Sequence, residues 1–505
     1  MRTIGLLIVV GNLAIMAACG GSNGGGGGGG STIASVTVSC SPASIQYGQT
    51  SQCSASVTGT GNFSSTVTWT ASAGSISGSG LFTAPSSGVV VLQVTITATS
   101  SQDTTKSGAA TVTVNPTQMT NNVQPIVVDS GPAPQTFATV NESFTTVTVC
   151  VPNTTNCQPI DHVLVDTGSS GLRLLTTAGG GELDLVKTPL PQTTDSSGNS
   201  LAECLVFLDG YVWGPVATAD IGLAGETAKA TPVQVIIPSS SSPAVPMSCS
   251  SQNPPGGTGN EGDSLQALGA NGILGVGLFQ QDCGTGCTSL NPVIPPFYYS
   301  CTSAGCNPAY ATLAQQVTNP VILFATDNNG VLVQLPAVPN GGSPTVSGSL
   351  IFGIGTQSNN ALGSATVYTV PDSGSQAGDF TTIFNGTSYS GSFIDSGSNG
   401  IFFLDASTTN IPTCPSPNDT WYCPTTSPDN LSAMNQGANG AQGAVNFSIE
   451  DASSLFNTNN TAFSTLGAPN PGSFDWGLGF FYGRSVFIGI ENMSTPGGTG
   501  PYFAY

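Results

Sequence analysis

An all-β protein is the expectation for this chain, and three observations carry it. Gly, Ser, Thr, Val and Pro are abundant while only 6% of the 505 residues are charged, a composition that suits short strands joined by tight turns. Apolar and small hydroxyl residues alternate in runs such as "SVTVSC", "TVTWTAS" and "AATVTVNP", which is the period of a half-buried strand. The third observation is a repeat. "VLVDTGSSGLRLL" (Val163 to Leu175) returns in altered wording as "FIDSGSNGIFFL" (Phe393 to Leu404), each an apolar segment running into Asp, a hydroxyl residue, Gly and Ser. The length allows two or more domains with cores of their own.

The N-terminal stretch "MRTIGLLIVVGNLAIMAACGG" has one early Arg, an apolar run too short to span a bilayer comfortably, and small residues before Cys19. That is the layout of an export signal over residues 1–19. The tetrad "MAAC" resembles a bacterial lipobox, which implies cleavage before Cys19, lipidation of its thiol and a lipid anchor to a membrane of the cell envelope, periplasmic or surface. Plain secretion is the alternative, because Met16 is a less usual opening for that tetrad.

Cysteine usage points to the same compartment. Setting Cys19 apart from the 13 Cys leaves 12. Most fall in close pairs: Cys40 with Cys53, Cys150 with Cys157, Cys283 with Cys287, Cys301 with Cys306, and Cys414 with Cys423. Cys204 and Cys249 remain for each other. Local disulfide staples in an exported protein are expected. With a single His and no paired C-x-x-C knuckles, neither a metal site nor a cofactor is expected.

Residues 20–32, "GSNGGGGGGGST" with the preceding Gly, form a flexible tether with no side chains to pack. Residues 33–115 run in short alternating segments separated by turns, the pattern of a small β-sandwich with Trp69 in its core. Within it, "GLFTAPSS" and "VTITATS" resemble the bacterial immunoglobulin-like domains of surface proteins, which implies a spacer or stalk, with sugar or protein binding as the lesser alternative. A Pro- and Asn-rich joint follows, so the next domain begins near residue 117.

Charge removes one class of partner. The 26 acidic residues outnumber 6 Lys and Arg, for a net charge of −20, and phosphate recognition needs clustered basic residues. Nucleic acid is set aside.

The two Asp motifs carry the chemistry. A single Asp after a strand and before a hydroxyl residue and Gly is more often a turn, its carboxylate bonding nearby amides. Two copies with matching flanks point instead to two halves of one site. Gly168 and Gly397 are expected to let the backbone turn, while Thr167, Ser169, Ser396 and Ser398 place hydroxyls near Asp166 and Asp395. If the loops meet, the two carboxylates share a proton, one apparent pKa raised and the other lowered. One can then take a proton from water while the other donates to a carbonyl oxygen, which is general acid–base hydrolysis of an amide. A triad enzyme would depend on His162, the only His, four residues before Asp166. A glycosidase would also use two carboxylates, usually with several aromatic and polar sugar contacts.

These residues resemble the pepsin-like aspartic peptidases. "VDTGSSGLRLL" is similar to that family's first catalytic loop and "FIDSGSNGIFF" to its second, which implies Asp166 and Asp395 as the catalytic pair. "NGILGVGLF" (Asn271 to Phe279) resembles the segment completing the first lobe's ψ-shaped loop. "NPVILFATDNNGVLVQL" and "GSLIFGIGT" resemble its closing segment, and "WGLGFFYGRSVFIGIE" (Trp476 to Glu491) the counterpart in the second lobe. The landmarks cover most of residues 140 to 491. They imply two β-rich lobes, 117–355 and 356–505, related by an approximate twofold with a substrate cleft between them.

The chain departs from the family at the flap, a hairpin that carries a Tyr over the cleft. The best match, "CLVFLDGYVWGPVATADIGL" (Cys204 to Leu223), has Phe207 there, with Tyr211 and Trp213 as substitutes. The resemblance implies an exported aspartic endopeptidase acting on peptide or protein, as a monomer. A pepsin-like body without turnover that binds peptide or glycan is the alternative.

Overall fold

The computed structural model of the chain describes residues 30–85, 92–115, 122–133, 139–207, 210–251, 260–290 and 296–505. The expected signal segment, Cys19 and most of the tether lie outside the described residues. The chain divides into two compact units, Met1–Gln118 and Met119–Tyr505.

The first unit is a pair of four-stranded sheets. One runs in the order Thr32–Ser41, Thr50–Thr60, Leu81–Thr83, Ser75–Ile76, the other Ser44–Gln46, Ser107–Asn115, Leu92–Ser100, Val67–Ala71. Alternation in the sequence becomes burial on one face, so Val94, Ile96, Val112 and Val114 meet Ile45 and Phe82 in the core. Trp69, expected inside, is half-buried and packs against the edge of that core. Cys40 and Cys53 sit directly opposite one another on adjacent strands and are bonded.

The second unit is also all-β and has two lobes. We label β1 (Cys157–Asp166), β2 (Ser170–Leu175), the hairpin β3 (Ser200–Val206) and β4 (Gly210–Leu223), and β5 (Gly272–Val276) in the first lobe; β6 (Thr387–Ile394), β7 (Ile401–Leu404) and β8 (Asn470–Trp476) belong to the second. In the first lobe β5 lies between β1 and β2, parallel to one and antiparallel to the other. In the second, β8 lies between β6 and β7 in the same senses. A strand threaded between two others needs small residues, and β5 reads Gly-Ile-Leu-Gly-Val, buried throughout. A Cβ on Gly275 would stand 2.7 Å from the Ser170 backbone.

A shared antiparallel sheet joins the lobes. Its strands run Val123–Val128, Val346–Phe352, Gly330–Gln334, Ser485–Gly489, Tyr502–Ala504 and Val367–Thr369. The first three lie before residue 355 and the last three after it, and the two sets meet where Gly330–Gln334 pairs with Ser485–Gly489.

All six expected disulfides are formed, including Cys204–Cys249. Six such bonds belong to an oxidising compartment, outside the cytoplasm. Among the described residues no helix is long and apolar enough to cross a membrane.

Candidate active site

β1 ends on Asp166, and β6 ends on Ile394, one residue before Asp395. The pairing registers correspond: Val165 and Leu172 both face Leu274, and Ile394 and Ile401 both face Trp476. Each Asp therefore leaves the same point of the same three-stranded arrangement.

The structure brings the two loops together. The Gly168 N–H donates to Asp166 Oδ1 at 2.8 Å and lies 3.0 Å from Asp395 Oδ1. The Gly397 N–H donates to Asp395 Oδ1 at 2.7 Å. Ser169 donates its hydroxyl to Asp166 Oδ2, and the Ser398 hydroxyl lies 3.1 Å from Asp395 Oδ2. Behind the carboxylates the loops brace one another. The Thr167 N–H donates to Ser396 Oγ at 3.1 Å, the Ser396 N–H donates to Thr167 Oγ1 at 2.9 Å, and the Ser396 hydroxyl donates to the Val165 carbonyl at 2.7 Å. Thr167 and Ser396 are fully buried, so these bonds face no competition from water.

The glycines have a different reason from the one expected. Neither Gly168 nor Gly397 has positive φ; both are required by close approach. A Cβ on Gly168 would stand 2.5 Å from Asp395 Cγ, and one on Gly397 2.8 Å from Asp166 Oδ1.

Burial first, then the neighbouring charges of Asp166 and Asp475, hold Asp395 well above the usual carboxylate range. The Gly168 N–H, within hydrogen-bond distance of an oxygen of each, holds the Asp166 and Asp395 carboxyl groups side by side. The pair thus retains one proton in mild acid, offering an acid and a base side by side.

The family described as "Protein of unknown function (DUF3443)" matches residues 118–505. The chain belongs to the DUF3443 family. No curated protein sequence matches it. Among solved structures, that of an aspartic proteinase from Irpex lacteus is 15% identical over 76% of this chain and 96% of that one, with a TM-score of 0.42.

The hairpin of this DUF3443 protein corrects two flap candidates. Tyr211 is 7% exposed and donates its hydroxyl to Glu261 Oε2 at 3.1 Å; Trp213 is fully buried and donates to the Pro243 carbonyl at 2.8 Å. Strand alternation turns both rings into the lobe, where their polar atoms are already engaged. Phe207 is half-buried, at the end of the hairpin before the undescribed residues 208–209, against Leu175, Leu205, Val212 and Leu265. His162 stands apart from the Asp pair, with its ring nitrogens 3.3 Å from Asp129 Oδ2 and 3.0 Å from Asp161 Oδ2.

Several residues of this DUF3443 site escaped sequence reasoning. Arg173, in β2, is fully buried. It donates to the Ser170 carbonyl at 2.9 Å, to Glu203 Oε1 of β3 at 2.7 Å and to Asp282 Oδ2 at 3.4 Å. The Tyr298 hydroxyl donates to Asp282 at 2.7 Å. Burial, then the adjacent Glu203, push Asp282 well above the usual range. A proton on Asp282 leaves one cation against one anion. A signal was present: an Arg inside the apolar run "GLRLL" of a chain with 6 basic residues. Asp475, in β8, is the other omission. It is 1% exposed, and its Oδ2 lies 2.6 Å from the Ser398 hydroxyl oxygen. Among the described residues, no group of three or more His, Cys, Asp or Glu is placed to hold a metal ion.

Proposed function

We propose that the second unit is a pepsin-like aspartic endopeptidase, carried outside the cytoplasm, that hydrolyses peptide bonds of a protein substrate. The observation that carries this reading is the contact between Asp166 and Asp395 on two matched, mutually braced loops. The ionised partner takes a proton from a bound water, whose oxygen attacks the scissile carbonyl carbon. The protonated partner donates to the carbonyl oxygen; collapse of the tetrahedral species then breaks the C–N bond as the first carboxyl group passes the proton it took from water to the amine nitrogen and the second takes one back from a hydroxyl of the gem-diol. Ser169 and Ser398 orient the carboxylates, while Thr167 and Ser396 hold the loops in register.

The test is cleavage of an unfolded protein by the purified chain from pH 3 to pH 7, read by mass spectrometry beside Asp395→Asn. Loss of about a hundredfold to ten-thousandfold in the variant is expected for a removed acid–base group. A folded parent that cleaves nothing at any pH would sink the reading.

A second reading, a binding protein for peptide or glycan, is favoured by one observation: Phe207 takes the place of the flap Tyr, and the two alternatives are buried. Peptide binding without turnover by a folded parent would select it. The first unit would serve as an immunoglobulin-like stalk and Cys19 as the lipid anchor. Fatty-acid labelling that persists in Cys19→Ser would remove the anchor from this proposal.

A further inference from the structure

One difference between the two halves of the site lies in the central strand. Val165 pairs with Leu274 and Ile394 with Trp476, so the preceding residue is Ile273 in β5 and Asp475 in β8. Ile273 is an apolar core residue, 4% exposed; Asp475 is 1% exposed. The register neighbours of Asp475 on β6 and β7 are Phe393 and Phe402. The ionisable groups facing it are Asp395 and Asp166. Its Oδ1 is buried with no hydrogen-bond partner among the described residues. Ionised, it would be a third carboxylate among aromatic rings and acids, with one oxygen unsatisfied.

The geometry of Ser398 limits where the protons are. Its Oγ lies 2.6 Å from Asp475 Oδ2 and 3.1 Å from Asp395 Oδ2. A hydroxyl has one hydrogen, so both contacts are hydrogen bonds only if one of the two carboxyl groups is protonated. In the first lobe Ser169 faces Asp166 without such a competitor.

We propose that Asp475 is a neutral carboxylic acid in the resting protein and a positioning residue: its O–H donates to Ser398 Oγ, which turns the Ser398 hydrogen onto Asp395. The second loop then matches the first, where Ser169 donates to Asp166. Loss of the proton reverses Ser398 and sets a negative charge beside Asp395, which places the alkaline limit of the site on Asp475. Burial pushes Asp475 up to about 8, with the Ser398 bond opposing and the charge of Asp166 adding to the rise. Only the consequence for catalysis rests on the peptidase reading; the protonation does not.

Infrared difference spectra of the intact protein test it. Beside the bands of Asp395 and Asp282, one further protonated-carboxyl component is expected in the parent at pH 6, missing from Asp475→Asn, and lost from the parent as the pH passes about 8. A carboxylate signal for Asp475 at pH 6 overturns the inference. Ser398→Ala keeps the carboxyl group and removes its acceptor, so the band moves to higher wavenumber. An unmoved band refutes the bond, and this arm stands even where Asp475→Asn fails to fold. In a cleavage assay of Asp475→Asn the introduced amide donates at every pH, so the alkaline limb should move up by at least one pH unit, about twofold in rate at pH 8 and approaching about tenfold at pH 10. An unmoved limb removes the positioning role and spares the peptidase reading; a parent with the band but no cleavage does the reverse.

Discussion

At the scale of single residues, contact distance decides more than backbone freedom does. Gly168 and Gly397 each face the opposite Asp across a gap that no Cβ can share. Gly168→Ala is therefore expected to abolish cleavage and to lower stability by about 1–3 kcal/mol, the usual cost of forcing atoms into a packed site. Urea unfolding measured beside the activity assay checks both halves; a variant with parental stability and activity contradicts the contact. His162 gives a second prediction. Both ring nitrogens face carboxylates, so both must donate, which only imidazolium can do. The bond to Asp129, opposed by burial and aided by the charge of Asp161, raises its pKa. The contribution is whole below the unfolded value of about 6.5 and is lost as pH rises through the folded one. His162→Gln should reduce stability more at pH 5 than at pH 8, read by urea unfolding at the two pH values. Sequence alone placed His162 near Asp166, but strand direction carried its ring elsewhere.

At the scale of elements, the hairpin and β2 are held together by charge inside a dry core. Arg173 ties the carbonyl of Ser170, just past the first Asp loop, to Glu203 on β3. Removing the cation strands Glu203 and Asp282 without compensation. Arg173→Met should destabilise the protein by about 3–5 kcal/mol, as breaking one side of a buried pair does. Replacing Arg173 and Glu203 together by apolar residues should restore part of that, and thermal unfolding of the single and double variants decides it. Cys204–Cys249 closes a separation of 45 residues across the same lobe. Five disulfide pairs and the repeated Asp segments were visible in the chain because both are local patterns, and Cys204–Cys249 followed as the pair left over. The orientation of Tyr211 and Trp213 was not, since a hairpin's register determines which alternate residues turn inward.

At the scale of the whole molecule, several groups bias the protein toward acid. Burial raises Asp395 and Asp475, and their unfolded counterparts titrate near 3.9. Between about pH 4 and pH 8 the native state thus holds protons that the unfolded chain has released, so stability falls as pH rises. His162 acts in the same sense. Net charge reaches −20 at neutrality, so protonation relieves repulsion instead of creating it. The melting temperature is expected to decline from pH 5 to pH 8, with a shallower decline in Asp475→Asn. A melting temperature that climbs over that interval would contradict this account.

The chain alone specified strands rather than helices, the six disulfide pairs, and the two Asp loops as halves of one feature. Composition, spacing and repetition are properties of neighbouring residues, and they survive without coordinates. Only the tertiary structure set Gly168 against Asp395, buried Arg173 between Glu203 and Asp282, turned the hairpin aromatics inward and brought Asp475 to Ser398. Each of these joins residues far apart in sequence, and the strand pairing that brings them together is written across the whole chain rather than in any one segment.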